Sequence, residues 1–171
     1  MQLIKDKEFE GERPLFASHD LHIDNVTIGE GESAIKECSN ILATKCRFRG
    51  KYPFWHVRGL TIENCRFEAG SRAALWYSDN MNMRNTVVDA PKMFREMDNL
   101  VLENCTFDAS CDRAFEYSTL NADIRGEIVN IKNPASGRIV ADSIGSVTID
   151  ENIKAPADCV IETRKHQKTV I

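Results

Sequence analysis

The chain has 171 residues and a mass of 19.3 kDa, which suits one domain, residues 1–171, with a continuous core. With 42% apolar and 28% charged residues, its composition is unlike that of disordered or membrane-spanning proteins, so no membrane partner is expected. The net charge of -4, without a dense run of Lys or Arg, also argues against a nucleic-acid partner.

The amino-terminal segment, residues 1–11, alternates charged and apolar residues and lacks the apolar run of a secretory signal or a membrane helix. We expect it to form a cap strand at one end of the fold, in a cytoplasmic protein. A reducing compartment keeps thiols free, so the six cysteines are predicted to be unpaired.

Residues 12–112 repeat one nine-residue pattern and are predicted to form regular coils. The leading apolar residue of each copy falls at positions 21, 41, 60, 81 and 100. Within one copy, Leu60 and Ile62 lie on the same face of a strand, and Asn64 then interrupts the alternation. Asparagine tolerates the left-handed backbone of a corner, which predicts an asparagine ladder along the stack. Its members are Asn25, Asn64, Asn85 and Asn104, with Lys45 as the one departure.

The repeat predicts an all-β fold, a single-stranded right-handed parallel β-helix (solenoid) with capped ends. It should have about six to seven coils of about 20 residues each, and its handedness follows the rule for parallel crossovers. A leucine-rich repeat is the main alternative, since its period can be similar. That motif places two residues between its last strand leucine and its asparagine, whereas one residue separates Ile62 and Asn64. No copy contains a helical segment, which also favours the β-helix.

The pattern degrades after Phe115, and residues 113–150 are predicted to form irregular coils. Short apolar segments there are separated by the turn-like pairs Asn133-Pro134 and Ser136-Gly137. Residues 151–171 should form a carboxyl-terminal cap, because an uncovered strand edge invites aggregation.

Three cysteines, Cys46, Cys65 and Cys105, share one column of the repeat with Thr86. Zinc ligands usually come in close pairs with two to four residues between them, and this column has no such pair. The histidines likewise lack metal-ligand spacing. We therefore predict a buried column in which the thiols act as small hydrophobes, with no metal and no cofactor.

An aromatic strip is predicted on the outside of the coils. Trp55 and Trp76 each follow an inward apolar residue at matching positions of adjacent coils, so their side chains should point outward. Lys36 and Arg95 continue this column on either side, and Tyr77 lies one residue further on. Because exposed aromatic surface tends to mark interaction sites, we predict a non-catalytic protein that binds a carbohydrate or a second copy here. Cover by the carboxyl-terminal segment is the third alternative.

A weaker catalytic hypothesis rests on Arg58, Asp79 and Asp98, which occupy equivalent positions on successive coils, with Arg95 nearby. Stacked acids and a base can transfer protons if one pKa is shifted. The same residues more often form a solvated charge ladder, so the sequence favours a protein that is not an enzyme.

The repeated pattern Asn-Leu-x-Ile-x-Asn-Cys-x-Phe, with Tyr52-Pro53-Phe54-Trp55 between copies, resembles bacterial right-handed parallel β-helix proteins of the pectin-lyase-like superfamily. More narrowly, the tail at residues 115–118, 133–137 and 141–145 resembles the carboxyl-terminal signature of a family known only as a domain of unknown function. The narrower resemblance implies a fold and no established reaction. The wider resemblance to the superfamily implies the alternative function, a lyase or glycoside hydrolase that acts on a polysaccharide. Neither catalytic arrangement of the superfamily can be matched residue by residue.

Overall fold

The structure is a computed structural model that describes residues 1–152 and 158–164, and over these residues it contains strands and no helix. Residues 153–157 and 165–171, which belong to the predicted carboxyl-terminal cap, lie outside the described residues. The strands, in chain order, are β1 (Gln2–Lys5), β2 (Glu8–Glu12), β3 (His19–Asp24), β4 (Thr27–Glu32), β5 (Ser39–Thr44), β6 (Arg47–Phe48), β7 (Arg58–Glu63), β8 (Arg66–Phe67), β9 (Leu75–Trp76), β10 (Asp79–Arg84), β11 (Val87–Val88), β12 (Phe94–Arg95), β13 (Asp98–Phe107), β14 (Thr119–Arg125), β15 (Glu127–Lys132), β16 (Ser136–Ala141), β17 (Ser143–Thr148) and β18 (Cys159–Thr163).

One long parallel sheet runs the length of the molecule, in the order β1, β3, β5, β7, β10, β13, β14, β16 and β18. Its register places Ile41, Leu60, Met81 and Leu100 directly above one another. The stack makes about 8 turns, about 19 residues apart, so the predicted parallel β-helix is confirmed. The expected number of coils was slightly low, because β1 and β18 pair with the stack as further turns. The right-handed sense stays a prediction.

Shorter strands form the remaining faces of each turn. A second run of parallel pairs joins β2, β4, β6, β8, β11 and the end of β13, while β9 pairs with β12 at a third face. In the carboxyl-terminal part of the stack, β15 pairs with β17. The corners between these faces recur at the same place in every regular coil, so equivalent corner residues of successive coils are stacked on one another.

The predicted asparagine corner is present. Asn64, Asn85 and Asn104 have φ values of 55°, 48° and 52°, and Lys45, the exception in the pattern, adopts the same left-handed conformation at 55°. The Asn104 side-chain amide donates a hydrogen bond of 2.7 Å to Oδ1 of Asn85. A second ladder, not predicted, stands at the entrance to the long sheet, where Asn99 donates to Asn80 at 2.9 Å. Stacked amides thus bond along the axis at two corners.

The lumen is filled by apolar side chains from every face. Phe48 and Phe67 are fully buried and stack with their ring centroids 4.7 Å apart, while Phe54 meets Phe48 edge-on at 4.9 Å. Each large apolar side chain removed from water stabilises the fold by roughly 1.5–3 kcal/mol. Repetition of these columns holds the coils together without any helix in the described part of the chain.

The cysteine column is buried and its thiols are free, as predicted. The backbone amide of Cys46 donates to Sγ of Cys65 at 3.3 Å, and the amide of Cys65 donates to the Thr86 hydroxyl at 3.2 Å. Burial raises the pKa of the Cys105 thiol to about 11, so this thiol stays protonated at neutral pH. Thr86 therefore replaces a thiol as a hydrogen-bonded spacer in the same column.

Candidate functional site

The aromatic strip lies at a sharp corner of the solenoid. Trp55 sits between Tyr52 and His56, whose left-handed φ values of 53° and 56° turn the chain on both sides of it. Trp76 occupies the equivalent place one coil later, in register with Arg95 on the coil after that. Because the residue before each tryptophan is buried in the lumen, both indoles lie on the outside, as predicted.

The two indoles form a parallel stack. Their ring centroids are 5.4 Å apart and their planes differ by 4°. Nε1 of Trp55 donates to the carbonyl oxygen of Ala73 at 2.7 Å, and Nε1 of Trp76 donates to that of Lys92 at 2.8 Å. Both acceptors are left-handed corner residues of the next coil, with φ values of 49° and 51°. The indoles therefore fasten successive coils together, and they turn their flat faces towards each other.

Further rings surround this pair. Tyr52 lies 4.7 Å from Trp55, and Tyr77 meets Trp55 and Trp76 nearly at right angles, at 5.8 and 5.9 Å. His56 stacks on Tyr77 at 5.2 Å. Together these five residues make up what we call the aromatic corner. The sequence predicted Tyr77 as part of the strip but missed Tyr52 and His56, which lie at the corners before and after Trp55.

The predicted basic residues occupy the column positions on either side of the tryptophan pair. The Arg95 guanidinium lies 5.3 Å from the Trp76 ring and 5.2 Å from the Tyr117 ring, and it donates to the buried Glu116 carboxylate at 3.3 Å. Lys36 lies at the other end, since the next residue, Glu37, bonds through its amide to the carbonyl of Trp55 at 3.0 Å. Arg95 thus covers one end of the stack.

A basic hollow of about 300 Å³ opens on the side of the corner that precedes the tryptophans in the chain. Arg72 leans over the Tyr52 ring at 5.9 Å and donates to the Tyr52 hydroxyl at 3.4 Å. Ten of the twelve arginines in the chain lie within 4.0 Å of a carboxylate, and Arg72 is one of the two exceptions among the described residues. The lining residues are Tyr52, Trp55, Arg72, Ala73, Trp76, Pro91 and Lys92.

A polar hollow of about 420 Å³ opens on the other side of the corner. It brings together two of the predicted catalytic residues, because Nε of Arg58 lies 3.9 Å from Oδ2 of Asp79. Glu37 and His56, which the sequence did not single out, line the same hollow.

The other two catalytic candidates lie apart from this lining. Asp98 pairs in register with Asp79 on the next coil and accepts a hydrogen bond of 2.9 Å from the Thr119 hydroxyl. Arg95 belongs to the aromatic strip, where it pairs with Glu116. Of the four catalytic candidates, Arg58 and Asp79 therefore line the hollow, and Asp98 lies beside Asp79 on the next coil.

Two classes of feature are absent from residues 1–152 and 158–164. No cluster of three or more His, Cys, Asp or Glu residues there has the arrangement of a metal site. No helix in that part of the chain has the length and apolar character needed to cross a membrane.

Comparison with known proteins gives one match. A family model described as "Protein of unknown function (DUF3737)" matches residues 2–107 and 97–162, which together span almost the whole chain. No curated protein and no solved structure matches the chain. The expected resemblance to a family of unknown function is thereby confirmed.

Proposed function

The chain belongs to the family described as protein of unknown function (DUF3737), and we propose that it is a non-catalytic interaction protein whose recognition surface is the aromatic corner. The observation that supports this most strongly is the cluster of five rings on an outer edge of the solenoid, beside a hollow with unpaired cations. The occupants considered are a carbohydrate and a second copy of the chain.

The composition of this surface fits a docking site. Trp, Tyr and Arg are the residues that most often contribute binding energy at protein interfaces, because they bury much apolar area and keep a polar group at the rim. Tyr77 is 37% exposed, and the tyrosine hydroxyls and ring edges lie around two half-buried indoles. A rigid backbone of left-handed corners holds the rings in place, so little conformational entropy is lost on binding.

The orientation of the indoles bears on which occupant fits. A sugar ring usually packs against the flat face of an aromatic side chain. Trp55 and Trp76 turn those faces towards each other, and Arg95 lies over Trp76. What remains accessible is a row of ring edges, hydroxyls and cations, which suits a broad surface contact better than a stacked sugar. Carbohydrate binding is kept as the second occupant.

A polysaccharide-acting enzyme is the second candidate function. It is favoured by one observation, the Arg58 and Asp79 pair in a hollow that His56 and Glu37 also line. In this proposal Asp79 acts as the acid, with Arg58 stabilising charge. Lyase and hydrolase assays on acidic and neutral polysaccharides, repeated with Asp79→Asn, test it. Turnover that Asp79→Asn abolishes would support an enzyme, and no turnover on any polymer would count against one.

The proposal also includes a superfamily relationship and a location in the cell. The parallel β-solenoid supports kinship with the bacterial proteins of the pectin-lyase-like superfamily, on fold alone. Six free cysteines, five of them buried, support a reducing, cytoplasmic location.

The decisive experiment removes the rim of the corner and leaves the indoles in place. Replacing Tyr52, Arg72 and Tyr77 together by alanine keeps both indole hydrogen bonds, whereas replacing the tryptophans would also remove contacts between coils. We expect this variant to lose self-association or glycan binding by at least about tenfold, measured by sedimentation and by glycan-array screening.

The matched control is Thr61→Ala with Asn82→Ala, on the outer face of the long sheet. It should keep the wild-type behaviour in both assays. A wild-type chain that is monomeric and binds no glycan would contradict the proposal, and so would a rim variant that behaves like the wild type.

A further inference from the structure

We infer that the occupant of the aromatic corner is a second copy of this chain, docked corner to corner with the two solenoid axes parallel. The inference rests on the proposed function and names its partner. It comes from the distribution of charge on the two flanks of the aromatic strip, which differ in sign.

The basic flank consists of two residues in each coil, which lie four and three positions before the strip residue, at the preceding corner. In the four coils from Lys36 to Arg95 it carries three cations and one acid, a net charge of +2. Arg72 and Lys92 have no carboxylate within 4.0 Å among the described residues, so their charge is available to a partner. The charged members are Glu32, Lys51, Arg72 and Lys92.

The acidic flank consists of two residues in each coil, which lie one and three positions after the strip residue. In the same four coils it carries four acids and one cation, a net charge of -3. Arg58 pairs with Asp79 and Arg95 lies 3.7 Å from Glu96, so Glu37 and Asp98 are the acids least neutralised by neighbouring cations. The charged members are Glu37, Arg58, Asp79, Glu96 and Asp98.

This asymmetry selects one geometry for a symmetric dimer. A two-fold axis parallel to the strip lays each basic flank, net +2, on the partner's acidic flank, net -3, and brings aromatic corner against aromatic corner. Each coil then meets the same coil of the partner, so unlike charges meet at the coils of Arg72 and Lys92, and like charges meet at those of Glu32 and Lys51. A two-fold axis across the strip would instead oppose flanks of the same sign, which repel each other. The self-complementary arrangement therefore has parallel solenoid axes. In it, each flank of one copy contacts the opposite flank of the other copy.

The available area predicts a weak dimer. The accessible part of the outward column runs over five coils, from Phe16, which is 44% exposed, to Arg95, because Glu116 beyond it is buried. At about 4.8 Å per coil, and with flanks about 20 Å across, two copies would bury roughly 1,000 Å² in total. This is the low end for specific interfaces, so we expect a dissociation constant of about micromolar size.

Charge-swapped variants test both the partner and the orientation. In Arg72→Glu/Lys92→Glu both flanks become acidic, and in Asp79→Lys/Glu96→Lys both become basic. Sedimentation equilibrium at low salt should show a wild-type dimer and a dissociation constant at least about tenfold higher for each variant alone. An equimolar mixture of the two variants should recover the dimer, because every acidic flank then faces a basic one.

The control for a change in net charge is Lys7→Glu/Lys45→Glu, which alters the charge by the same amount at two exposed lysines elsewhere. It should dimerise like the wild type, and circular dichroism should show that every variant keeps its strand content. Two variants that stay monomeric when mixed, beside a dimeric wild type, would overturn the inferred geometry.

A second outcome separates this inference from the proposed function. A wild type that is monomeric at all concentrations, yet binds glycans through the residues of the rim, would overturn the second copy as partner and keep the aromatic corner as the recognition surface. A monomer that binds no glycan would overturn both.

Discussion

Replacing Phe67 by alanine is expected to lower the free energy of unfolding by about 3–5 kcal/mol. The Phe67 side chain is fully buried, its ring stacks 4.7 Å from Phe48, and its centroid is 6.2 Å from that of Phe54. Removing the ring leaves a void between coils that have no other layer of structure to collapse into it, so both apolar burial and packing are lost. Urea denaturation followed by circular dichroism measures the change.

The matched control for Phe67 is Phe16→Ala, at a ring that is 44% exposed. We expect a change of no more than about 0.5 kcal/mol there, as for most surface substitutions. Equal losses at the two positions would contradict a lumen that is packed by stacked phenyl rings.

Gly137→Ala is expected to cost about 3 kcal/mol or more, because it combines backbone strain with a steric clash. Gly137 has a φ of 110°, in a region that side chains rarely adopt, and a Cβ built there would overlap the carbonyl oxygen of Leu120. Leu120 is its register partner, so relief of the clash would separate β14 from β16. The same denaturation measurement gives the loss.

Gly126→Ala separates these two effects. Gly126 also has a positive φ, of 81°, but no atom lies within 4 Å of a Cβ built there. Backbone strain alone should therefore cost about 1 kcal/mol. If Gly137→Ala lowered the free energy of unfolding no more than Gly126→Ala does, that result would contradict the close contact between β14 and β16.

The solenoid could be predicted from sequence because every coil meets the same physical demands. Leu60, Met81 and Leu100 must each fill the same column of the lumen, which leaves a period of about twenty residues in the sequence. The corner after the first strand requires a left-handed residue, and asparagine meets that need often enough to be visible at Asn64, Asn85 and Asn104. Both signals come from positions where few residue types fit.

Other features left weaker signals. The left-handed corners beside the tryptophans are held by residues as different as Tyr52, His56, Ala73 and Lys92, so no residue type marks them. Tyr52 and His56 were missed for this reason. Residues 1–11 and 151–171 are predicted as caps because uncovered strand edges invite aggregation. The register in which β1 and β18 pair with the stack left no signal in the sequence.

The orientation and hydrogen bonds of the two indoles could not be predicted from the sequence. Their outward position follows from the alternation of side chains, but the hydrogen bonds of their Nε1 atoms depend on where the next coil places the carbonyls of Ala73 and Lys92. Those bonds turn the indole faces towards each other. The predicted platform is therefore a row of ring edges, and the charges on its flanks decide what it can bind.

The two tryptophans of this chain both lie in the aromatic corner, so selectively excited tryptophan fluorescence reports on that corner alone. The most direct test is acrylamide quenching of this fluorescence as the protein concentration rises from about 1 to about 100 μM, spanning the expected dissociation constant. Quenching should weaken as the wild-type dimer forms and should stay constant for Arg72→Glu/Lys92→Glu. A dimer that forms while quenching stays unchanged would show that the corner remains open to solvent and that the interface lies elsewhere.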